Sequence, residues 1–431
     1  MKNKRSNLGF TLIELLCVLV ILALLVTLVG RSFVKIINDA ETELSESQEK
    51  SILNAAEKWA TENSGEFDDI EGSSLQIGAD IVFVLDFSGS MGFSSNFIST
   101  PTGKISRYQA MIEALDSSVP ILMPEDSDNK ISIVSYGKTV KTILPLDKYK
   151  MEGSQFVKWT KTNSGDDFGI ISFPNLYNSS GKKITQTYKM QNGVTYTQGG
   201  ILGATQILLS NSNVVNRIPV IVLFTDGEPT AYYPGNKFVS RCQSCGGSWN
   251  LAAARYMIEA GVYAKSSIKS YYQSQLFFYT VGLGIGVGSP GELVLNPTKE
   301  NIELSTSDSK RRELANYLKQ HNGSSAYNYA DKSFINVLDA EQLKDIFQNI
   351  SNEVIEATKV TQLCVTVDEL KKGGYLSKDA KINDTLGETI YVLMSENAAT
   401  NQYVFSVAKT DEQKKQCKAL IDQKNSNKKG V

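Results

Sequence analysis

Residues 8–30, LGFTLIELLCVLVILALLVTLVG, form an apolar run long enough to cross a bilayer as a helix, and one carboxylate, Glu14, stands near its start. Such a segment has to lie in lipid or in a dense helical core, and this limits the chain more tightly than any other feature. A charge at the centre of a membrane helix costs about 2.5–3.5 kcal/mol. Glu14 therefore either lies close enough to the interface to snorkel into headgroups or has a functional reason to survive there. Lys2, Lys4 and Arg5 precede the run, which predicts a cytoplasmic Met1 and an exported remainder. No small-x-small cleavage site follows it. Gly9 instead precedes it, so cleavage there would discard the basic leader and keep the helix.

The segment Gly9-Phe10-Thr11-Leu12-Ile13-Glu14, after a basic leader and before an apolar helix, resembles the class III signal of type IV pilins and pseudopilins. The resemblance implies a leader at 1–9 cut after Gly9 by a prepilin peptidase, methylation of the new terminal residue Phe10, and a pair between Glu14 and the terminal amine of a neighbouring pilin subunit. That amine would answer the carboxylate inside a filament core, where an unpaired charge is prohibitive. It also implies a single-pass precursor in the cytoplasmic membrane and a final place on the bacterial cell surface, in a type IV pilus. Loss of the leader removes three basic residues, leaving 41 Lys+Arg against 46 Asp+Glu and a net charge of about −5.

Length and composition exclude several classes. A chain of 431 residues predicts two domains, or one with large insertions. Its 44 Lys+Arg and 46 Asp+Glu nearly cancel and form no dense basic block, so nucleic acid is not expected as a partner. His321 is the single histidine, which excludes a histidine-rich zinc site, and no nucleophile–base pair is visible. The chain is not expected to be an enzyme. Five cysteines are too few for a disulfide scaffold.

Along the chain the hydrophobic period changes twice. Phe33, Ile36, Ile37, Ala40, Leu44, Ile52, Ala55, Ala56 and Trp59 recur at helical spacing, extending the apolar run into one long helix over 10–62, of which 10–30 would be the membrane or filament-core part. Residues 63–78 read as a linker. Over 79–357 buried strands at 81–85, 130–136, 220–225, 276–283 and 326–330 alternate with helices at 107–122, 200–209, 250–267, 310–320 and 340–357, and a hairpin joins 130–136 to 140–146. The pattern predicts an α/β fold with a doubly wound, mostly parallel sheet and one antiparallel strand. Residues 358–431 return to antiparallel strands, at 363–367, 389–394 and 403–407. CVTVDELKKGGYL, 364–376, resembles the segment that leads from the long helix into the sheet of pilins and pseudopilins. The α/β unit is therefore read as inserted between the long N-terminal helix and the small antiparallel β-sheet of a pilin module.

The first buried strand of the α/β unit ends in Asp86-Phe87-Ser88-Gly89-Ser90-Met91-Gly92. Side chains two apart in an extended turn point the same way, so Asp86, Ser88 and Ser90 can converge on one ion while Gly89 and Gly92 permit a bend. Taken alone, the same residues also describe a polar turn capping a helix. Thr195-Tyr196-Thr197 offers a hydroxyl before the next helix, and Asp226 ends the 220–225 strand. Parallel strands deliver their carboxyl ends to one edge, where such folds bind ligands. These segments, in this order, resemble the metal-ion-dependent adhesion site of von Willebrand factor A and integrin I domains, over roughly 79–357. The resemblance implies Asp86, Ser88, Ser90, Thr195 and Asp226 as metal ligands, with an acidic side chain of the bound partner completing the shell. Hydroxyl and carboxylate oxygens suit a hard cation: Mg²⁺ is favoured, Mn²⁺ is feasible, and Ca²⁺ would ask for more ligands. Long loops at 149–192, 227–249 and 284–309 are expected on the metal edge, as selectors of the ligand or as surface decoration.

Three further signals are weaker. GLGIGVG at 282–288 lacks dinucleotide-fingerprint spacing. Cys242 and Cys245 fit a disulfide loop, or zinc if two more ligands were supplied. Cys364 and Cys417 flank the last strands and could staple them, while Cys17 fits an apolar helix position.

The two resemblances together imply a minor pilin whose A domain binds host matrix or plasma glycoproteins such as fibronectin, fibrinogen or collagen through a metal. The alternative is a structural pseudopilin or tip subunit that primes assembly, its A domain binding another pilus component. Mass spectrometry of the mature chain should find methylated Phe10 at its terminus, and Glu14→Ala should lower incorporation into filaments. A mature chain that retains residues 1–9 contradicts the signal reading.

Overall fold

The computed structural model describes residues 47–63, 74–125, 127–161, 169–190, 193–212, 214, 217–272, 274, 276–321, 327–378, 389–397, 402–408 and 411–427. The leader, the apolar run, Gly9, Phe10, Glu14 and Cys17 lie outside them. Among the described residues no helix is long and apolar enough to cross a membrane. The chain divides into two compact units, one spanning Ser74–Val360 with Asn397–Gln402, the other drawn from the segments before and after it.

The larger unit is built on a six-stranded sheet. Its strands in chain order are β1 (Gly78–Asp86), β2 (Lys130–Tyr136), β3 (Lys141–Asp147), β4 (Arg217–Thr225), β5 (Phe277–Leu283) and β6 (Lys332–Val337), arranged β6-β5-β4-β1-β2-β3. Every pairing is parallel except β2 with β3. β1 and β4 are buried along their whole length, as expected of central strands covered on both faces by helices. The helices α1 (Arg107–Ser118) and α5 (Ala340–Thr358) share one hydrophobic core with one face of the sheet, while α2 (Thr197–Leu209), α3 (Leu251–Tyr272) and α4 (Ser309–Gln320) share the other. Gly200 lets α2 approach closely, because a Cβ there would meet the Tyr136 ring at 2.7 Å and Val84 at 2.9 Å.

Several boundaries differ from the sequence reading for identifiable reasons. α1 stops at Ser118 and gives way to a 3-10 turn over Val119–Leu122, where Pro120 cannot donate the next helical bond. The strand expected at 326–330 lies further on, at Lys332–Val337. Tyr327 and Tyr329 look like strand residues because they are large and alternate, yet they are core residues of the approach, with Tyr329 over Gly261 of α3. The α5 cap is present, Asp339 accepting from the Gln342 amide at 2.8 Å.

The 149–192 insertion is not built from the metal edge. β3 runs antiparallel, so its last residue, Asp147, pairs with Ile131 at the start of β2 and the chain leaves the sheet at the amino edge. The insertion then packs through Phe156, Phe173 and Leu176 into the α1 side of the core, and the Val157 amide donates to Asp116 at 2.9 Å. The chain returns to the carboxyl edge at the insertion's end, where Gly193 accepts from the Gly89 amide at 2.9 Å.

The two ends of this unit meet. The Ile77 amide donates to the Thr358 carbonyl at 2.9 Å, beside the start of β1 and the end of α5. Arg217 ties the same edge together through Asp80 at 2.7 Å and the Asp128 carbonyl at 2.8 Å, while Tyr272 and Asn211 also donate to Asp80.

In the smaller unit, residues 47–62 are helical and bury Ile52, Ala55, Ala56 and Trp59 against Leu363, Val365, Leu370 and Val392. Strands Lys359–Thr366, Tyr391–Asn397 and Gln402–Val407 lie side by side in that order. The strand pattern alone did not reveal two further elements. Val367–Lys372 is a short helix opened by a capping box of Thr366 and Glu369, and Asp411–Asn427 is a C-terminal helix. Cys364 and Cys417 form a disulfide, S–S 2.03 Å, joining the first of these strands to that last helix.

Candidate metal centre

The parallel order of β1 and β4 carries Asp86 and Asp226 to the same edge. Both are buried, Asp86 fully and Asp226 at 6% exposure. Asp86 accepts from the Ser88 amide at 2.8 Å through one oxygen and from the Thr225 hydroxyl at 2.7 Å through the other. Ser90 donates to Asp226 at 2.7 Å, and the Ser88 and Ser90 hydroxyl oxygens lie 3.0 Å apart. Four of the five expected ligands thus form one connected cluster. Thr195 is buried beside it and is held by its backbone: its carbonyl accepts from Thr230 and Ala231, and its amide donates to the Thr230 hydroxyl. Among the described residues no hydrogen bond joins its side chain to the other four.

The turn that presents the serines is fixed from below. The Phe87 amide donates to Tyr136 O at 2.6 Å, Tyr108 donates to Ser88 O at 2.5 Å, and Asn96 donates to Ser90 O at 2.9 Å. Phe87 packs edge-on against Tyr108 with ring centroids 5.9 Å apart. Gly89–Met91 form one 3-10 turn, and Gly92 has φ −109°, so the bend at these glycines uses no left-handed residue. Burial, with the nearby Asp86 carboxylate, pushes the Tyr108 and Tyr136 phenols well up, which keeps both as donors.

Sequence reasoning missed Arg107, which sits at the first turn of α1 and reaches Asp226 at 2.6 Å. No spacing rule marks it, because the contact joins residues 119 positions apart. It is an incomplete counter-ion. Its Nε is buried without a hydrogen-bond partner among the described residues, and its ion pair goes to Asp226 while Asp86 receives none. Burial, and then the neighbouring Asp226, pushes Asp86 up to about 7. Asp226 is also raised by burial, with Arg107 pulling it back.

These residues fit a divalent cation. Two buried carboxylates with a single guanidinium leave negative charge unanswered, and the remaining donors are hydroxyls, hard oxygens of the kind Mg²⁺ prefers. Among the described residues no three His, Cys, Asp or Glu side chains gather, so the donor set is not that of a zinc centre. Asp86 and Asp226 would supply charge, Ser88, Ser90 and Thr195 would supply neutral oxygens, and the bound ion would offer an open position to an acidic ligand.

Two of the three long loops border this edge. The loop after Asp226 forms a short hairpin, Ala231–Tyr232 with Ser244–Cys245, whose second arm carries a local Cys242–Cys245 disulfide of 2.00 Å. Next to the site, Glu228 pairs with Lys310 at 3.2 Å, and Lys310 lies over the Trp249 ring. The loop after β5 is held inside by the buried Arg311, bonded to Glu292 at 2.9 Å and to Ser289 O at 2.8 Å. Gly284, at φ +68°, carries no Cβ where one would approach the Arg107 guanidinium at 2.9 Å.

The prokaryotic N-terminal methylation motif matches residues 4–30, so the chain carries the prepilin methylation signal. No curated protein matches the chain. Among solved structures it is similar to the pilus adhesin SpaC from Lactobacillus rhamnosus GG, at 16% identity over 69% of this chain and 36% of that one, TM-score 0.36. It is similar to the PilB minor pilin from Streptococcus sanguinis at 15% identity over 66% of this chain and 62% of that one, TM-score 0.35. A third likeness is the vWF domain of the type V pili tip protein Mfa5 from Porphyromonas gingivalis, at 14% identity over 65% of this chain and 96% of that one, TM-score 0.35. The chain therefore spans 36% and 62% of the first two relatives.

Two outcomes are expected of the centre. A carboxyl raised from its unfolded value of about 3.9 destabilises the fold once it ionises, so the metal-free protein should lose stability as pH climbs from about 4 to about 7. Asp86→Asn should flatten that slope in denaturation series run in chelator, and an equal slope in both proteins contradicts the assignment. Arg107→Gln removes the competing cation. It should cost the metal-free protein about 3 kcal/mol, as when one partner of a buried pair is lost, yet tighten Mg²⁺ binding in calorimetry; weaker Mg²⁺ binding would show that Arg107 supports the ion.

Proposed function

We propose that the chain is a minor type IV pilin that displays an inserted von Willebrand factor A domain as a metal-dependent adhesin. The observation that carries the reading is the cluster of Asp86, Ser88, Ser90 and Asp226 oxygens at the carboxyl edge of a parallel sheet, in a chain that also bears the methylation motif at residues 4–30. In this reading a prepilin peptidase removes residues 1–9, other pilin subunits receive the helix and Glu14, and the cytoplasmic membrane holds the precursor before assembly. Mg²⁺ binds Asp86, Ser88, Ser90, Thr195 and Asp226, and a carboxylate of a host glycoprotein enters its open position. Few protein charges around the ion leave it electrophilic enough to accept that carboxylate, and exclusion of water strengthens the contact. The loops over 227–249 and 284–309 select the partner, because they border the ion.

A second reading keeps the pilin and gives the A domain another pilus component as its ligand. The methylation motif favours it, since that motif concerns assembly and not adhesion. Piliation separates the two: loss of filaments on deletion of residues 79–357, with the pilin segments rejoined, favours the assembly role.

Adhesion should need metal and carboxylates together. Binding of the protein to immobilised fibronectin, fibrinogen and collagen should fall to background in chelator, and Asp226→Ala should mimic the chelator without removing pili. Specific binding that ignores both treatments contradicts a metal-bridged mechanism.

A further inference from the structure

The 149–192 insertion holds six lysines against three acidic residues, in a chain whose charges otherwise nearly cancel. Strand register then arranges them. Lys150 pairs with Tyr177, and Tyr177 bridges to Lys183 on its other side, so both lysines flank one aromatic ring in a single cross-strand row. Directly opposed residues project from the same face. Lys183 Nζ lies 5.8 Å from the centre of the Tyr177 ring, and the nearby Glu152 pushes the Tyr177 phenol up, which keeps its proton. A separate three-stranded sheet of the insertion carries one lysine in each of two rows: Lys158 shares a row with Ser172 and Thr187, and Lys189 shares one with Ile170 and Thr160. Its other face carries the Trp159, Ile171 and Tyr188 row, which packs into the core and holds the lysine face rigid. Lys150, Lys158, Lys183 and Lys189 are exposed, and none has an ion-pair partner among the described residues.

We propose that the Lys150-Tyr177-Lys183 row binds an acidic polysaccharide, a sulfated or uronic-acid-bearing chain whose acid groups meet the lysines while a sugar ring lies on Tyr177. Two ammonium groups set about one aromatic ring match acid groups that alternate with hydroxylated rings, and the lysine rows of the second sheet add positive charge to the same insertion. A protein partner would ask for a dehydrated apolar centre with aromatic anchors, and Ile170 is the one aliphatic side chain in the paired rows. The Lys150 end of the insertion begins away from the candidate ion, because β3 leaves the sheet at the opposite edge, whereas Lys189 lies four residues before Gly193 at the carboxyl edge. The inference does not rest on the adhesin reading.

Heparin is the probe, offered to the full-length protein in detergent, with neutral dextran, poly-glutamate and single-stranded DNA alongside. Heparin should bind with an affinity that falls as salt rises, and chelator should change nothing. Replacing both Lys150→Ser and Lys183→Ser should weaken binding about tenfold and reduce its salt dependence, since fewer counterions are released. Tyr177→Ala should weaken it with the salt dependence kept, which a purely electrostatic surface would not show. Lys344→Ser, an exposed lysine on α5, serves as the control and should bind like the unaltered protein. The variants change exposed side chains, and unchanged melting will confirm that they fold. Equal binding by the double variant, equal capture of poly-glutamate or single-stranded DNA, or no heparin binding at physiological salt overturns the proposal.

Discussion

The larger unit depends on the burial of two like charges. Asp86 and Asp226 stand at the carboxyl ends of neighbouring parallel strands, about 4.8 Å apart in sheet spacing, and neither reaches solvent freely. Such a pair persists only because the surroundings point donors at it: the Ser88 amide, the Thr225 and Ser90 hydroxyls, and the Arg107 guanidinium. The opposite edge shows what full compensation looks like. There Asp80, equally buried, receives Arg217, Asn211 and Tyr272 together. A buried carboxylate that receives an arginine and two further donors is a structural tie, even though Arg217 also reaches the exposed Asp128 at 3.3 Å. Two buried carboxylates of which only Asp226 receives an arginine, with paired hydroxyls beside them, leave room for a cation.

Sheet direction carries that chemistry to one end of the unit and the chain ends to the other. β1 starts and α5 finishes at the amino edge, where Ile77 and Thr358 are bonded, so this unit can be spliced into another chain at a single point without disturbing the carboxyl edge. The same rule governs the insertions. Loops that follow β4 and β5 border the candidate ion because those strands end there, whereas the lysine-rich insertion follows the antiparallel β3 and begins at the far edge.

Much of this could be read before any coordinates. Strands as apolar as Ile81–Leu85 and Val220–Phe224 admit little but a buried parallel sheet, and the Asp-x-Ser-x-Ser turn and Asp226 follow from where such strands end. The α5 cap from Asp339 to Gln342 is of the same local kind, since it spans three residues. The features that escaped were long-range or direction-dependent. Arg107 meets Asp226 across 119 positions, a contact without any sequence period. The 149–192 loop starts at the amino edge and reaches the expected metal edge at its end, because length and polarity say nothing about which way the preceding strand points. Tyr327 and Tyr329 mimicked a strand by alternation while serving as core side chains before one, and the polar Asp411–Asn427 helix showed no apolar stripe strong enough to announce it.

The central claim is that one divalent ion sits between the ends of β1 and β4. Anomalous diffraction from crystals of the protein grown with Mn²⁺ tests it most directly, because the peak locates the ion without reference to activity. The account predicts one strong peak within coordination distance of Asp86 and Asp226, with Ser88, Ser90 and Thr195 around it and Arg107 drawn back from Asp226. A peak elsewhere, or none at this edge while Arg107 remains bonded to Asp226, would contradict it.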